Sequence, residues 1–294
     1  SLAGCFGDSG DDSAQTITAG TAPSFPPFEM KEDGELVGFD VDLLEAVVEQ
    51  TDYEFGGWEE YEFDSLTPAL VNENIDVIAA GMTINDDRDE SIDFSEPYYS
   101  SDQAIVVRAD GSFAPGSLSE LSDRPIGAQK GTTGEAAAQE LQQQFDGNLN
   151  IDSYDQIPGA FNALLNNQAV AVINDNAVNL QYTEDQEAIT LLQGEGQAAE
   201  EFESAPPYLT LTVERYGIAF RQDDDEFREQ VNEALNAVIA SGQYEEIYGE
   251  YFTGAPPQSI LDRAQSSPGT TVANGTATTE NGTSGNATDT TNGG

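Results

Sequence analysis

"FDSLTPALVNENIDVIAAGMTINDDRDESIDFSEPYY", residues 63–99, decides the fold. It opens on an amphipathic stretch, "FDSLTPALVNEN", that predicts a helix capped by Asp64 or Ser65 with Pro68 in its first turn, where a missing amide is tolerated. The apolar run "IDVIAAGMTI" then predicts a buried strand ending near Gly81 and Thr83. Just beyond it, Arg88 stands among Asp86, Asp87, Asp89 and Glu90. Helix, buried strand and polar loop form the repeating unit of layered α/β proteins, whose open sheets bind ligands beyond the strands' carboxyl ends. On spacing alone, Arg88 is either a surface ion pair or a receptor for an anion.

The same alternation extends both ways. "TITAG" predicts a strand, "GFDVDLLEAVVEQT" a helix with Phe39, Leu43, Leu44, Val47 and Val48 on one face, and "YEFGGW" a further strand. The pattern restarts with strand "RPIGAQ", turn "KGTTG", helix "EAAAQELQQQF", a helix around "AFNALLNN", and strand "AVAVI" running into "NDNAVNLQY". "RYGIAF" predicts a late strand, and "DEFREQVNEALNAVIASGQYEEIYGEYF" two helices punctuated by Ser241 and Gly242. Two α/β lobes are the economical reading, with "QAIVVR" and "LTLTVERYGIAF" where the chain crosses between them.

Composition narrows the function. The 294 residues carry 55 Asp plus Glu against 9 Lys plus Arg, a formal charge of −46 with no histidine. Such acidity excludes nucleic acid as a partner, since phosphate neutralisation needs clustered cations. A hydrophobic content of 38% with regular periodicity argues for a folded body. The surface therefore predicts adaptation to a hypersaline, haloarchaeal setting. At molar salt the Debye length is about 3 Å, so only direct, desolvated charge contacts retain much strength there. Without histidine there is no triad with an imidazole base and no His-ligated zinc, and one cysteine excludes disulfides. No metal site or cofactor is expected.

"SLAGC" at the start resembles a lipobox, which predicts export and lipidation at Cys5, holding the protein to the outer face of the cell membrane. From Ala264 onward Thr, Asn, Gly, Ser and Ala dominate, a composition too polar to bury a core. Sequons at Asn274, Asn281 and Asn286 are weak glycosylation signals in that tract. The expected organisation is a spacer over 1–15, lobe 1 over 16–104, lobe 2 over 105–212, a return to lobe 1 over 213–253, and a low-complexity tail over 254–294.

Taken together, "GTAPSFPPFEM", "LVGFDVDLLEAV", the stretch at 63–99, "GAQKGTTGEAA", "AVINDNA", "YGIAF" and "GQYEEIYGEYF" resemble the extracellular solute-binding proteins of ABC importers, family 3 type, which bind polar amino acids. The likeness covers about residues 16 to 253. It implies a periplasmic-binding-protein-like fold: two lobes, two strand crossings, and ligand in the cleft. The expected partners are a free amino acid and ABC permease subunits, with the binding protein itself a monomer and not an enzyme.

The resemblance also implies roles. Arg88 would grip the ligand's α-carboxylate through its planar fork, with Thr83 serving both ends of the amino acid. Thr133, where a turn opens a helix, would add an amide to the carboxylate; alone it reads equally as a helix cap. Asp175 would hold the ammonium, although by itself it also reads as a cap. Ala80 and Gly81 would sit at the site, Gly81 offering its carbonyl, and Phe25 and Phe63 would sandwich the ligand's aliphatic stem. Phe28, Trp58 and Tyr61 are left to packing, with Tyr98 and Tyr99 lining the crossing. Many family members carry an acid at the position of Ala22; with Gln129 and Asn174 facing the side chain, all three are neutral. A cationic ligand would then lack a counter-charge, and an acidic one would have only Lys130 nearby. The expectation is a neutral polar amino acid, with glutamate or aspartate second. An enzyme on the same fold, a dehydratase or lyase acting on a cyclic keto acid, would need an acid of raised pKa such as Glu29 or Asp175.

Overall fold

The computed structural model describes residues 14–110, 113–194 and 206–266. Cys5, Asn274, Asn281 and Asn286 lie outside the described residues.

The first lobe begins with β1 (Thr16–Thr21), a short hairpin of β2 (Met30–Glu32) and β3 (Glu35–Val37), and α1 (Phe39–Val48). Phe39, Leu43, Leu44, Val47 and Val48 of α1 are all buried, as their spacing predicts. β4 (Glu54–Glu60) then lies parallel to β1. α2 (Phe63–Val71) starts earlier than expected: Glu62 is its N-cap, with no side-chain capping bond, so Pro68 falls in the second turn. Of the expected long strand only β5 (Val77–Ile78) pairs in the sheet. The flanking residues through Thr83 are nevertheless buried. α3 (Asp86–Asp89) and β6 (Ile92–Phe94) complete this part.

β7 (Tyr99–Arg108) carries the chain into the second lobe. There follow β8 (Pro125–Gln129), α4 (Thr133–Gln144), β9 (Asn150–Tyr154), α5 (Ile157–Leu165), β10 (Ala171–Asp175), α6 (Asn176–Asp185) and β11 (Ile189–Leu191). β12 (Thr210–Tyr216) brings the chain back, pairing antiparallel with β7 from Ala104 to Tyr99. β13 (Ala219–Arg221) re-enters the first sheet, whose order is β4-β1-β5-β13-β6; the second runs β11-β7-β10-β8-β9 with β12 beside β7. "RYGIAF" is thus two strands, broken at Gly217 and Ile218, because the chain changes sheets there. The result is the two-lobed, twice-crossed α/β fold.

α7 (Asp225–Ser241) and α8 (Gln243–Tyr251) join at Gly242, whose φ of 87° is the left-handed conformation that ends a helix. Aromatic residues hold the crossings to the first lobe: Phe28, in the loop before β2, lies 4.9 Å from Tyr99 and 5.1 Å from Tyr216 between ring centres, and Phe252, just past α8, lies 5.1 Å from Tyr99. The tail expected from residue 254 needs correction, since residues 258–266 form α9 (Gln258–Ser266). Ile260 is buried, and Arg263 bonds the Pro97 carbonyl and pairs with Glu96 at 3.0 Å. Ile260 and Leu261 pack against the core beside the Arg263 contacts, which docks this helix against the body. Among the described residues no helix is long and apolar enough to cross a membrane.

Candidate ligand-binding cleft

Three polar segments converge between the lobes: the loop after β5, the Gly/Thr turn before α4, and the carboxyl end of β10. They enclose a narrow cleft lined by Phe25, Phe63, Gly81, Thr83, Arg88 and Asp175 together with Ala22, Glu29, Ala80, Gln129, Thr132 and Thr133.

Arg88 is placed by local sequence. Asn85 caps α3 by accepting the Arg88 amide at 2.9 Å, which turns the arginine inward while Asp86, Asp87, Asp89 and Glu90 stay exposed. Its guanidinium donates to the Thr83 carbonyl at 2.7 Å and to the Gly131 carbonyl of the second lobe at 3.3 Å, and its Cζ lies 5.3 Å from the centre of the Phe63 ring. None of its neighbouring acids forms an ion pair with it among the described residues. Burial lowers its pKa, with Glu214 and Asp175 opposing that shift. A guanidinium bonded only to carbonyls keeps its full charge for an anion.

Gly81 has φ 54°, and a Cβ there would come within 2.9 Å of the Phe25 ring. The glycine is required by both conformation and space. Its amide donates to Asp40 at 2.7 Å, and Tyr98 donates to the same carboxylate oxygen at 2.5 Å. Burial pushes the Asp40 pKa up to about 7 against those two bonds.

Asp175 is held by Gln103, which donates at 2.8 Å, and by the Tyr216 hydroxyl. Burial, and then the charge of Glu214, raise its pKa to about 7. The side chain serves as no cap for α6. Thr133 is the first residue of α4, and the capping bond comes from Thr132, which accepts the Glu135 amide at 3.2 Å. Gln129 is buried and donates to the Asp155 carbonyl at 3.2 Å.

Asn174 is the exception among the expected site residues. It precedes Asp175 in β10, and successive residues of a strand face opposite ways. With Asp175 in the cleft, Asn174 turns into the second lobe, where its amide nitrogen is buried with no partner among the described residues. Three polar residues in or beside the cleft had not been singled out for the binding site. Gln103 and Glu214 sit on the crossing strands, and their sequence context is plain β-strand with no marker of a site. Glu29, read earlier only as an enzyme's acid, is 0% exposed, lines the cleft, and has neither carboxyl oxygen bonded among the described residues. Burial, then Asp40 and Asp175, hold its pKa well above the usual carboxylate range.

The lobes are shut on one another. Lys130 pairs with Asp64 at 2.7 Å, Gln156 donates to Glu62 at 3.0 Å, and the Thr83 and Thr133 hydroxyls are 3.4 Å apart.

Residues 17–254 match the family described as bacterial extracellular solute-binding proteins, family 3. The chain belongs to that family. It is 31% identical over 258 residues to a probable histidine-binding protein of Neisseria gonorrhoeae, covering 85% of this chain and 90% of that one. Among solved structures it resembles the arginine-, lysine-, histidine-binding protein ArtJ of Geobacillus stearothermophilus, with 32% identity, a TM-score of 0.71, and coverage of 85% of this chain and 100% of that one. An ancestral arginine-binding protein bound to glutamine matches with 33% identity and a TM-score of 0.69, covering 82% of this chain and 100% of that one. These relatives of the solute-binding protein are transport-associated binding proteins rather than enzymes.

Proposed function

We propose that this amino acid-binding protein of an ABC transport system takes a basic amino acid, arginine before lysine or histidine. Glu29 carries the reading. A buried carboxyl with two unbonded oxygens costs free energy unless something enters to satisfy it. A guanidinium or ammonium does so, and the count then balances: Arg88 for the ligand's carboxylate, Asp175 for its ammonium, Glu29 for its side chain. The counter-charge missing at Ala22 is supplied seven positions later in the sequence, on the same cleft wall. Phe25 and Phe63 would flank the aliphatic stem, with Ala80, Gly81, Thr83, Gln129 and Thr133 completing the contacts. The ancestral relative bound to glutamine favours a neutral amide as the second reading, since a protonated Glu29 can donate to an amide oxygen.

The chain would work outside the cell, tethered through a lipid on Cys5, as a salt-adapted monomer that presents its closed form to a permease. The proposed lobe limits are 16–104 with 213–253, and 105–212.

A calorimetric screen of arginine, lysine, histidine, glutamine and glutamate at molar salt tests the ligand class. Arginine should bind most tightly, and Glu29→Gln should reduce its advantage over glutamine by tenfold or more. Tighter binding of glutamine than arginine by the unaltered protein would overturn the basic reading.

A further inference from the structure

One carboxylate outside the ligand contacts just described draws hydrogen bonds from both lobes at once. Glu214, on the returning strand β12 and only 5% exposed, accepts the Thr83 hydroxyl at 2.6 Å and the Thr133 hydroxyl at 2.8 Å on the same oxygen, with Gln103 Nε2 at 3.3 Å. Its other oxygen accepts the Thr212 hydroxyl at 2.9 Å. Thr83 belongs to the first lobe, Thr133 opens a helix of the second, and Gln103 and Thr212 lie on the paired crossing strands.

A hydroxyl has one proton and two lone pairs. With both threonine protons committed to Glu214, the oxygens can only accept from anything else they meet. Thr133 spends part of that capacity on Gln103 Nε2 at 3.2 Å. Thr83 lines the cleft and makes its remaining close hydroxyl contact with Thr133. We infer that Glu214 is a positioning residue: by taking the Thr83 and Thr133 protons it turns Thr83 Oγ1 into an acceptor for the ligand's ammonium and ties the two lobes to one hinge carboxylate on closure.

Without that carboxylate the Thr83 hydroxyl would be free to donate to the ligand's carboxylate instead. The ammonium has three protons to place, and Asp175, the Gly81 carbonyl and Thr83 Oγ1 would receive them. Gln103 Nε2 has two protons for three acceptors: one makes the short bond to Asp175 at 2.8 Å, and the other is shared between Thr133 at 3.2 Å and Glu214 at 3.3 Å, which links the two acids. This inference rests on the amino-acid reading above but not on which side chain the ligand carries, because every free amino acid brings the same ammonium.

The test is calorimetric titration of the unaltered protein, Glu214→Ala and Glu214→Gln with arginine and with the arginine analogue lacking the α-amino group. The measured quantity is the ratio of the two dissociation constants. Glu214→Ala should lower the preference for the amino ligand by tenfold or more. Glu214→Gln should keep it within about threefold, since the amide oxygen still accepts both hydroxyl protons while its nitrogen faces Thr212. A ratio unchanged in Glu214→Ala, with both ligands weakened alike or not at all, would overturn the inference. If that variant does not fold, Glu214→Leu, which keeps the buried bulk but accepts no hydrogen bond, replaces it: the same tenfold fall supports the inference and an unchanged ratio overturns it. Should another amino acid prove to be the ligand, the basic reading fails, and the same ratio is read with that amino acid and its des-amino analogue. If no amino acid binds, both readings fall.

Discussion

Lys130 Nζ lies 2.7 Å from Asp64 Oδ2, which joins the turn before α4 in the second lobe to the first turn of α2 in the first. The hydrogen bond to Asp64, then its charge, raise the lysine's pKa. Both partners face solvent in part, so salt screens the pair and its contribution is modest. Replacing Lys130 by alanine should weaken ligand binding by less than about threefold at molar salt and by more as salt is lowered within the range where the protein stays folded. Calorimetry across that range checks this; a loss that does not vary with salt would show that the contact acts by packing.

Gly131 meets the same aspartate from the other side. Its φ is 76°, and a Cβ added there would lie 2.9 Å from Asp64 Cβ and 3.2 Å from Asp64 Cα. The clash exists only when the lobes are closed, so Gly131→Ala should act on binding more than on folding. The left-handed conformation should cost about 1–2 kcal/mol of stability, while affinity should fall tenfold or more. Denaturant unfolding without ligand, set beside calorimetry, separates the two. Equal losses in both would show that the lobes can close without this approach.

Arg88 should not be replaceable by lysine. Its side-chain bonds are to two backbone carbonyls, one in each lobe, and an ammonium cannot reproduce a planar fork against a carboxylate. Each charged hydrogen bond contributes about 1.5–3 kcal/mol, so Arg88→Lys should bind its ligand roughly 10- to 100-fold more weakly with little change in thermal midpoint. Unchanged affinity would remove Arg88 from the carboxylate site.

Asp40 gives the ligand-free protein a pH signature. Burial raises its folded pKa to about 7 from a usual value of 3.8, so between those values the folded state holds a proton the unfolded chain has released. The sign follows: this carboxyl makes stability fall as pH rises from about 4 towards 7, by at most about 1.4 kcal/mol per pH unit. Asp40→Asn keeps an acceptor for Gly81 and Tyr98 and should flatten that slope. Urea unfolding at several pH values measures it, and identical slopes in both proteins would contradict the assignment. Asp175 shifts the same way through burial and then Glu214, so the Asp40 variant should remove only part of the dependence.

Periodicity and end-of-strand chemistry were legible in the chain itself. The apolar face of α1, the two crossings and the glycine turn before α4 follow from local pattern, because backbone conformation and strand alternation act over a few residues. Gly81, Thr83, Arg88 and Asp175 were marked out only by the resemblance to the solute-binding family, since on local pattern alone Arg88 reads equally as a surface ion pair and Asp175 as a helix cap. That alternation would also have excluded Asn174 once Asp175 was placed. What neighbours across the chain decide was not legible. Arg88 keeps clear of four adjacent acids because the Asn85 cap turns it towards Gly131, 43 positions away. Glu29 becomes a buried, unbonded carboxyl only in company with Asp40 and Asp175, brought to it by other segments of the chain, and Glu214 becomes a junction only because Thr83 and Thr133 arrive from opposite sides. Burial and hydrogen-bond satisfaction depend on segments distant in sequence, so the surroundings of Glu29, Arg88 and Glu214 were decided by the tertiary structure.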